Sequence, residues 1–320
     1  MKEPKAFSES KVVIAVPTYK RPKRLAGLLQ SISGQTYKGK NVFVVVADNE
    51  GENGAGLNLL KAEEYVKFPY EIKGLPVAQR GIARVRNAII EECFSKMGAD
   101  CVVMVDDDQW VEHDWLENLL HMYNIRNADI IKNNIIPDFV DGKPAWVEGQ
   151  KLYGYSKSTG DGLVPLIYGT NGVLLSRSIL RLANGEYFDD SYALIGGEDD
   201  EFFFRMKKNG AVFAYAQKAI SHEIFDRFRS SRVWACKRSF NRGIAFIRAL
   251  IKNGQLGIFG WSKEILKITA GLVVPPFVFL IPFMSSRQRM KIILLFFSQV
   301  GKVSGAIGIR VNEYQTTHGV

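Results

Sequence analysis

Three consecutive aspartates, Asp106-Asp107-Asp108, follow the apolar run from Cys101 to Val105. Val102-Val103-Met104-Val105 reads as a short strand buried on both faces, as in a parallel sheet, and such sheets bind ligands at the carboxyl ends of their strands. Adjacent carboxylates repel, so gathering them is unfavourable unless a cation, solvent or basic side chains take up the charge. A hard divalent ion, Mn2+ or Mg2+, is the natural partner, because it takes oxygen ligands and bridges carboxylates to phosphates. The competing reading is a solvated acidic loop that caps the helix beginning near Asp114.

A second acidic cluster, Gly196-Gly197-Glu198-Asp199-Asp200-Glu201, runs directly into Phe202-Phe203-Phe204-Arg205-Met206. The glycines allow a tight approach, and the acids then fill the first turn of a helix, where exposed N–H groups and the helix dipole favour carboxylates. Capping accounts for Glu198 and Asp199 but not for four acids together. A carboxylate fixed on a rigid helix start can take a proton from a substrate hydroxyl, the work of a general base.

The elements that must position these clusters alternate along the N-terminal part. Val12 to Val16 is an apolar run closed by Pro17-Thr18-Tyr19, and Leu25, Leu28, Leu29 and Ile32 then recur at helical spacing. Val42 to Ala47 is a second run, ending at Asp48-Asn49. Val85, Ala88, Ile89 and Cys93 mark another helix, and Trp115, Leu116, Leu119, Leu120 and Tyr123 one more. This order predicts an α/β fold with a parallel sheet flanked by helices. No GxGxxG follows the first strand, so the dinucleotide fingerprint is missing. Asp129 to Ile136, Gly172 to Leu175 and Ala211 to Ala216 read as further strands. Between them, Trp146, Tyr153, Tyr155 and Tyr168 are suited to stack on sugar rings or to close over a site, or else are loop anchors.

Composition separates the chain into two parts. With 320 residues, 47% hydrophobic and 23% charged, it can bury a full core. The net charge of +9 is wholly C-terminal: Arg227 to Val320 holds fifteen Lys and Arg against Glu264 and Glu313. The same segment carries an uncharged stretch from Ile268 to Ser286, broken by Pro275, Pro276 and Pro282, and a second apolar run from Ile292 to Val300 after Arg287, Arg289 and Lys291. Basic residues interleaved with apolar runs point to an anionic membrane surface and away from nucleic acid. A re-entrant or interfacial hairpin is expected; the alternative is a helix pair packed on the protein's own core or in a homo-oligomer. Cys93, Cys101 and Cys236 form no CxxC pair and read as free thiols in a reducing compartment. Met1 to Ser10 is polar and shows no secretory h-region.

Taken in order, Val-Pro-Thr-Tyr-Lys-Arg-Pro closing the first strand, Ala-Asp-Asn closing the second, Gly81-Ile-Ala-Arg-Val-Arg-Asn87, the Asp triplet and Gly-Gly-Glu-Asp-Asp-Glu resemble a family 2 glycosyltransferase. The likeness covers roughly residues 11 to 245 and is strongest to bacterial enzymes of succinoglycan and exopolysaccharide synthesis. It implies a GT-A fold, with a mixed Rossmann-like sheet, and an inverting transfer. A nucleotide-sugar donor, UDP-linked by preference, and Mn2+ or Mg2+ are implied with it. Pro17, Thr18, Tyr19 and Arg21 would line the nucleotide pocket, Asp48 would bond the base, and Arg86, Asp106 and Asp107 would lie on the nucleotide. Asp108 would bind the metal, with His222 as a further ligand. Asp199 would be the base, and Glu198, Asp200 and Trp146 would shape the acceptor subsite.

The expected layout is a glycosyltransferase domain over 1–250, with a nucleotide half over 11–110 and an acceptor half over 111–250, and a membrane-associating region over 251–320. The acceptor would be a glycan or lipid-linked oligosaccharide at the cytoplasmic face of the inner membrane. A glycoside hydrolase, a metal-dependent phosphodiesterase or nuclease, and a non-catalytic membrane adaptor on the same scaffold remain alternatives at this point.

Overall fold

The computed structural model describes residues 10–154, 160–278 and 283–311; Tyr155 and Pro282, named above, lie outside them. The chain runs β1 (Val12–Thr18), α1 (Pro22–Ser33), β2 (Val42–Asp48), α2 (Ala55–Leu59), α3 (Glu63–Val66), β3 (Glu71–Pro76), α4 (Ile82–Ile90), β4 (Cys101–Met104), β5 (Gln109–Val111) and α5 (Trp115–Arg126). It continues through β6 (Ile130–Phe139), β7 (Gly162–Val164), β8 (Val173–Ser176), α6 (Ile179–Ala183), α7 (Glu198–Lys208), β9 (Phe213–Phe225), α8 (Arg232–Lys252), α9 (Ile258–Val278) and α10 (Ser286–Ala306).

One mixed sheet has the order β3-β2-β1-β4-β8-β6-β9-β5, with β7 added on β9. The four strands β3, β2, β1 and β4 are parallel, whereas β8 runs antiparallel to both β4 and β6. Alternation along β1 decides its two faces. Val13 and Ala15 join a core with Val85, Ile89 and Phe202, whereas Val12, Ile14 and Val16 join Leu25, Leu28, Leu29, Ile32 and Trp115. Helix α1 has no side-chain cap at its N-terminus. Full burial of its four apolar residues contributes about 1.5–3 kcal/mol each, which outweighs a missing cap worth about 1 kcal/mol.

The parallel strands all end on one side, and that side carries Thr18, Asp48 and the aspartates after β4. Here the βαβ order becomes useful, since side chains distant in sequence meet at a single edge.

Beyond β9 the chain is helical. α8 crosses the boundary expected at residue 250 and packs along α10 almost backbone to backbone. Gly243, Gly301 and Gly305 line the contact, and a Cβ at Gly301 would strike the Phe240 carbonyl. A buried ion pair of 2.8 Å between Lys302 and Glu264 ties α10 to α9. Among the described residues no helix is long and apolar enough to cross a membrane. Ile258, Phe259, Ile265, Leu266, Val273 and Val274 of α9 remain exposed, Phe259 to 91%.

Candidate active site

The three aspartates after β4 have separate partners. Thr18, the last residue of β1, donates its hydroxyl to Asp107 Oδ2 at 2.8 Å, and Arg21 Nη1 reaches Asp107 Oδ1 at 3.2 Å. Arg21 stands there because the chain turns sharply between β1 and α1, with Lys20 at φ 55°. Asp108 Oδ2 accepts from Arg229 Nη1 at 2.7 Å and lies 3.5 Å from Arg21. Asp106 Oδ1 is buried with no hydrogen-bond partner among the described residues; Arg86 Nη2 stands 3.9 Å away. Burial raises the pKa values of Asp106 and Asp107, against the pull of Arg86 and Arg21 respectively, and Asp108 adds to the rise in both. Arginines from three distant parts of the chain, Arg21, Arg86 and Arg229, thus face the triplet.

Arg86 is the hinge between the two acidic clusters. It is buried on α4, hydrogen-bonds Glu198 Oε1 at the start of α7, and faces Asp106 on its other side. Burial raises the Glu198 pKa; Arg86 opposes this and Asp199 adds to it. One guanidinium shared among several acids leaves Glu198 without a full counter-charge. The four acids of this cluster have different surroundings. Glu201 is fully buried against Arg205 and is structural. Asp200 lies near Arg242 and Arg238, and burial, followed by the charge of Asp199, raises its pKa. Asp199 is half-buried, and its Oδ1 accepts the N–H of Asp200 at 2.9 Å. Neither Asp199 nor Asp200 is bonded to an arginine or lysine among the described residues, but Asp200 feels the charge of Arg242 and Arg238.

The positive φ angles of Gly81 and Gly197 allow these approaches. A side chain at Gly81 would meet Ala193, and one at Gly197 would meet Ala245.

Several expected site residues are placed differently. His222 is not brought to the carboxylates. Alternation along β9 turns Ser221 and Glu223 to the site side, and His222 instead stacks on Trp110 at 3.7 Å and bonds Glu112 at 2.8 Å. Trp146 offers no open ring for a sugar. It is 6% exposed, packed with Val147, Tyr153, Phe225 and Met290, because α8 and α10 close over that segment. Tyr153 is buried as well, with its hydroxyl on the Arg229 carbonyl at 3.0 Å. Tyr168 does remain half exposed, edge-on to Phe204 and near Asp200. The Asp48 carboxylate is fully buried and accepts the N–H groups of Glu50, Gly56 and Leu57, so it holds the β2–α2 turn and shows no oxygen to a base. Pro17 lies buried within β1, and Tyr19 carries the Arg80 guanidinium over its ring at 4.7 Å.

Among the described residues, no group of three or more His, Cys, Asp or Glu forms a self-sufficient metal site. The residues present still fit a hard divalent ion of the kind held by one or two carboxylates and completed by phosphate oxygens and water. Asp106 offers a buried oxygen with no hydrogen bond, and Asp108 stands two residues on from the same strand end.

The description Glycosyl transferase family 2 matches residues 13–181, more than half of the chain. The chain belongs to glycosyl transferase family 2. This glycosyltransferase is 27% identical to the succinoglycan biosynthesis protein ExoM of Rhizobium meliloti, over 94% of each chain. It is 25% identical to a glucosyl-dolichyl phosphate glucuronosyltransferase of Haloferax volcanii, over 73% of this chain and 75% of that one. Among solved structures, S. aureus TarS in complex with UDP aligns at 16% identity and a TM-score of 0.50, covering 97% of this chain and 94% of that one, which shows a shared fold.

The family match ends at residue 181, before Asp199, Glu223 and Arg229. The glycosyltransferase completes its strand-end cluster from this later segment. Arg229 bonds both Asp108 and Glu223, and Asn171 Nδ2 bonds Glu223 Oε2 at 3.2 Å. Glu223, Asn171 and Lys132 were not expected from the sequence. The only signal of Glu223 was its place next to His222, beyond the strand read over Ala211 to Ala216.

Proposed function

We propose that this glycosyltransferase moves a sugar from a UDP-sugar to a hydroxyl of a glycan or lipid-linked acceptor, with inversion, in bacterial surface or exopolysaccharide synthesis. The observation that carries this reading is the pairing of two acid clusters across Arg86. One holds three aspartates among Arg21, Arg86 and Arg229, and the other presents the half-buried Asp199 with no arginine or lysine bonded to it among the described residues. The likeness to ExoM supports exopolysaccharide synthesis, and the fold shared with a protein crystallised with UDP supports a uridine donor.

In this scheme Asp199 takes the proton from the acceptor hydroxyl. The acceptor oxygen bonds the anomeric carbon while the bond from that carbon to the phosphate oxygen breaks, and the nucleoside diphosphate leaves with the electron pair. Arg21 and Arg229, fixed by Asp107 and Asp108, present positive charge where that leaving group gains negative charge. Asp108, with Asp106, would hold Mn2+ or Mg2+, which supplies Lewis-acid neutralisation of the diphosphate when bound. Tyr168, Glu198 and Asp200 border the acceptor side.

The test measures transfer and UDP binding for the wild type, Asp199→Asn and Asp108→Asn across a panel of UDP-sugars. Asp199→Asn should lose roughly 10²–10⁴-fold in turnover with unchanged UDP affinity, the range for a lost general base. Asp108→Asn should lose UDP affinity in Mn2+. Near-normal turnover in Asp199→Asn would defeat the base assignment.

The apolar side chains that α9 leaves exposed, with Lys263 and Lys267 on the same helix, support peripheral docking on an anionic membrane at the cytoplasmic face. Phe259→Asp with Leu266→Asp should reduce sedimentation with phosphatidylglycerol vesicles several-fold. Equal sedimentation of both proteins would refute the docking.

A further inference from the structure

Lys132 lies on β6, far in sequence from both acid clusters, yet it stands between them. The residue is 8% exposed, and its ammonium donates to the carbonyls of Gly169 (3.1 Å) and Asn171 and to Asn171 Oδ1 (3.0 Å). Its three protons are therefore matched by three acceptors, all on one turn. That turn, Gly169-Thr170-Asn171-Gly172, is confined at both ends. Gly169 and Gly172 adopt φ 73° and 76°, Gly172 N–H donates to Met104 O at 2.9 Å, and Asn133 N–H donates to Gly172 O at 3.0 Å. It is thus held beside the strand end that leads into Asp106.

Two further observations connect the turn to chemistry. Asn171 passes the contact on to Glu223, which bonds Arg229, which bonds Asp108. Thr170 is 1% exposed, and its hydroxyl has no hydrogen-bond partner among the described residues; Asp106 Oδ1 and Glu198 Oε2 are in the same state. A buried hydroxyl and two carboxylate oxygens without partners match a ligand rich in hydroxyl groups, because leaving such atoms unbonded is costly. Burial lowers the Lys132 pKa to about 8, while Asp106, Glu223 and Asp199 act against that fall, so its charge is felt in both clusters.

The geometry points to Lys132 as a positioning residue for the transferred sugar: through the Gly169–Gly172 turn it fixes Thr170 and Asn171 between the two clusters, where the hydroxyls of a UDP-linked sugar would be read. This rests on the donor reading above. Lys132 does not touch the reacting atoms, since its own donors are fully used.

The experiment uses the full chain with Lys132→Met, Lys132→Arg and Asn171→Ala, and reads three quantities: UDP binding by calorimetry, kcat and KM with the preferred UDP-sugar, and amide exchange over residues 169–173. Lys132→Met should keep UDP affinity within about twofold while turnover falls about 100-fold, the loss expected from a misplaced substrate. Amides of the turn should lose protection selectively. Lys132→Arg should recover part of the turnover, and Asn171→Ala should lie between it and Lys132→Met. Wild-type turnover in Lys132→Met would overturn the assignment, as would a parallel fall of UDP affinity, turnover and melting temperature, the mark of a core residue. A wild type that binds no UDP would defeat the donor reading instead. The exchange data would then decide Lys132 alone: selective loss of protection supports its hold on the turn, and unchanged protection overturns it.

Discussion

The two acid clusters are alike in composition and opposite in condition. At the strand ends each aspartate faces an arginine: Asp107 faces Arg21, Asp106 faces Arg86 and Asp108 faces Arg229. At the start of α7 the acids diverge: Glu198 and Glu201 turn inward to Arg86 and Arg205, while Asp199 keeps a half-buried carboxylate with only an N–H of its neighbour. Under the proposed function the strand-end site would receive a diphosphate, and Arg21 and Arg229 stand where its charge would fall. A site that takes a proton needs a carboxylate without a tight cation, because a cation at contact would lower its basicity. Under the proposed function this difference would be a division of labour, set by where the arginines fall.

The sharpest way to break this comparison is to remove the residue that joins the clusters. Arg86→Met leaves Glu198 buried at 2% exposure without its partner and should cost about 3–5 kcal/mol, seen as a lower urea midpoint. A variant of unchanged midpoint would mean that Arg86 does not hold the clusters together. Asp199→Asn, in contrast, should not lower the midpoint, because it breaks no ion pair and removes a charge that repels Glu198 and Asp200.

A second pair separates packing from acceptor contact. Trp146→Ala should cost about 3–5 kcal/mol from the lost core volume, yet leave acceptor KM unchanged in the folded fraction. Tyr168→Ala should barely move stability and should raise the acceptor KM several-fold. A stable Trp146→Ala that has lost acceptor affinity would return Trp146 to the site.

Much of the fold was legible because period and burial agree. Leu25, Leu28, Leu29 and Ile32, read from their spacing, are all fully buried on α1, and Val12 to Val16 forms β1. β3 was missed for a physical reason: as an edge strand with Glu71 and Lys73 outward, it has no apolar run. β9 was read as ending near Ala216, since Gln217-Lys218 breaks the apolar pattern. The strand continues past an irregularity to Phe225 and so brings Glu223 to the site. The same extension sets the phase that turns His222 away. Asp48 was legible as a strand end, but not as the anchor of Gly56 and Leu57, because a turn folding back onto its own carboxylate leaves no periodic trace.

Residue types and their order determined the family, the α/β alternation, the two acid clusters and the basic, apolar character of the C-terminal part, for these follow from local pattern and chain-order motifs. Which acid is neutralised, which aromatic is open and which lysine lies between the clusters were decided by tertiary structure alone. The partners come from opposite ends of the chain: Arg21, Arg86 and Arg229 converge on three adjacent aspartates, and Lys132 reaches a turn nearly forty residues away. Pairing at such separation is fixed by strand order and phase, which no local spacing encodes.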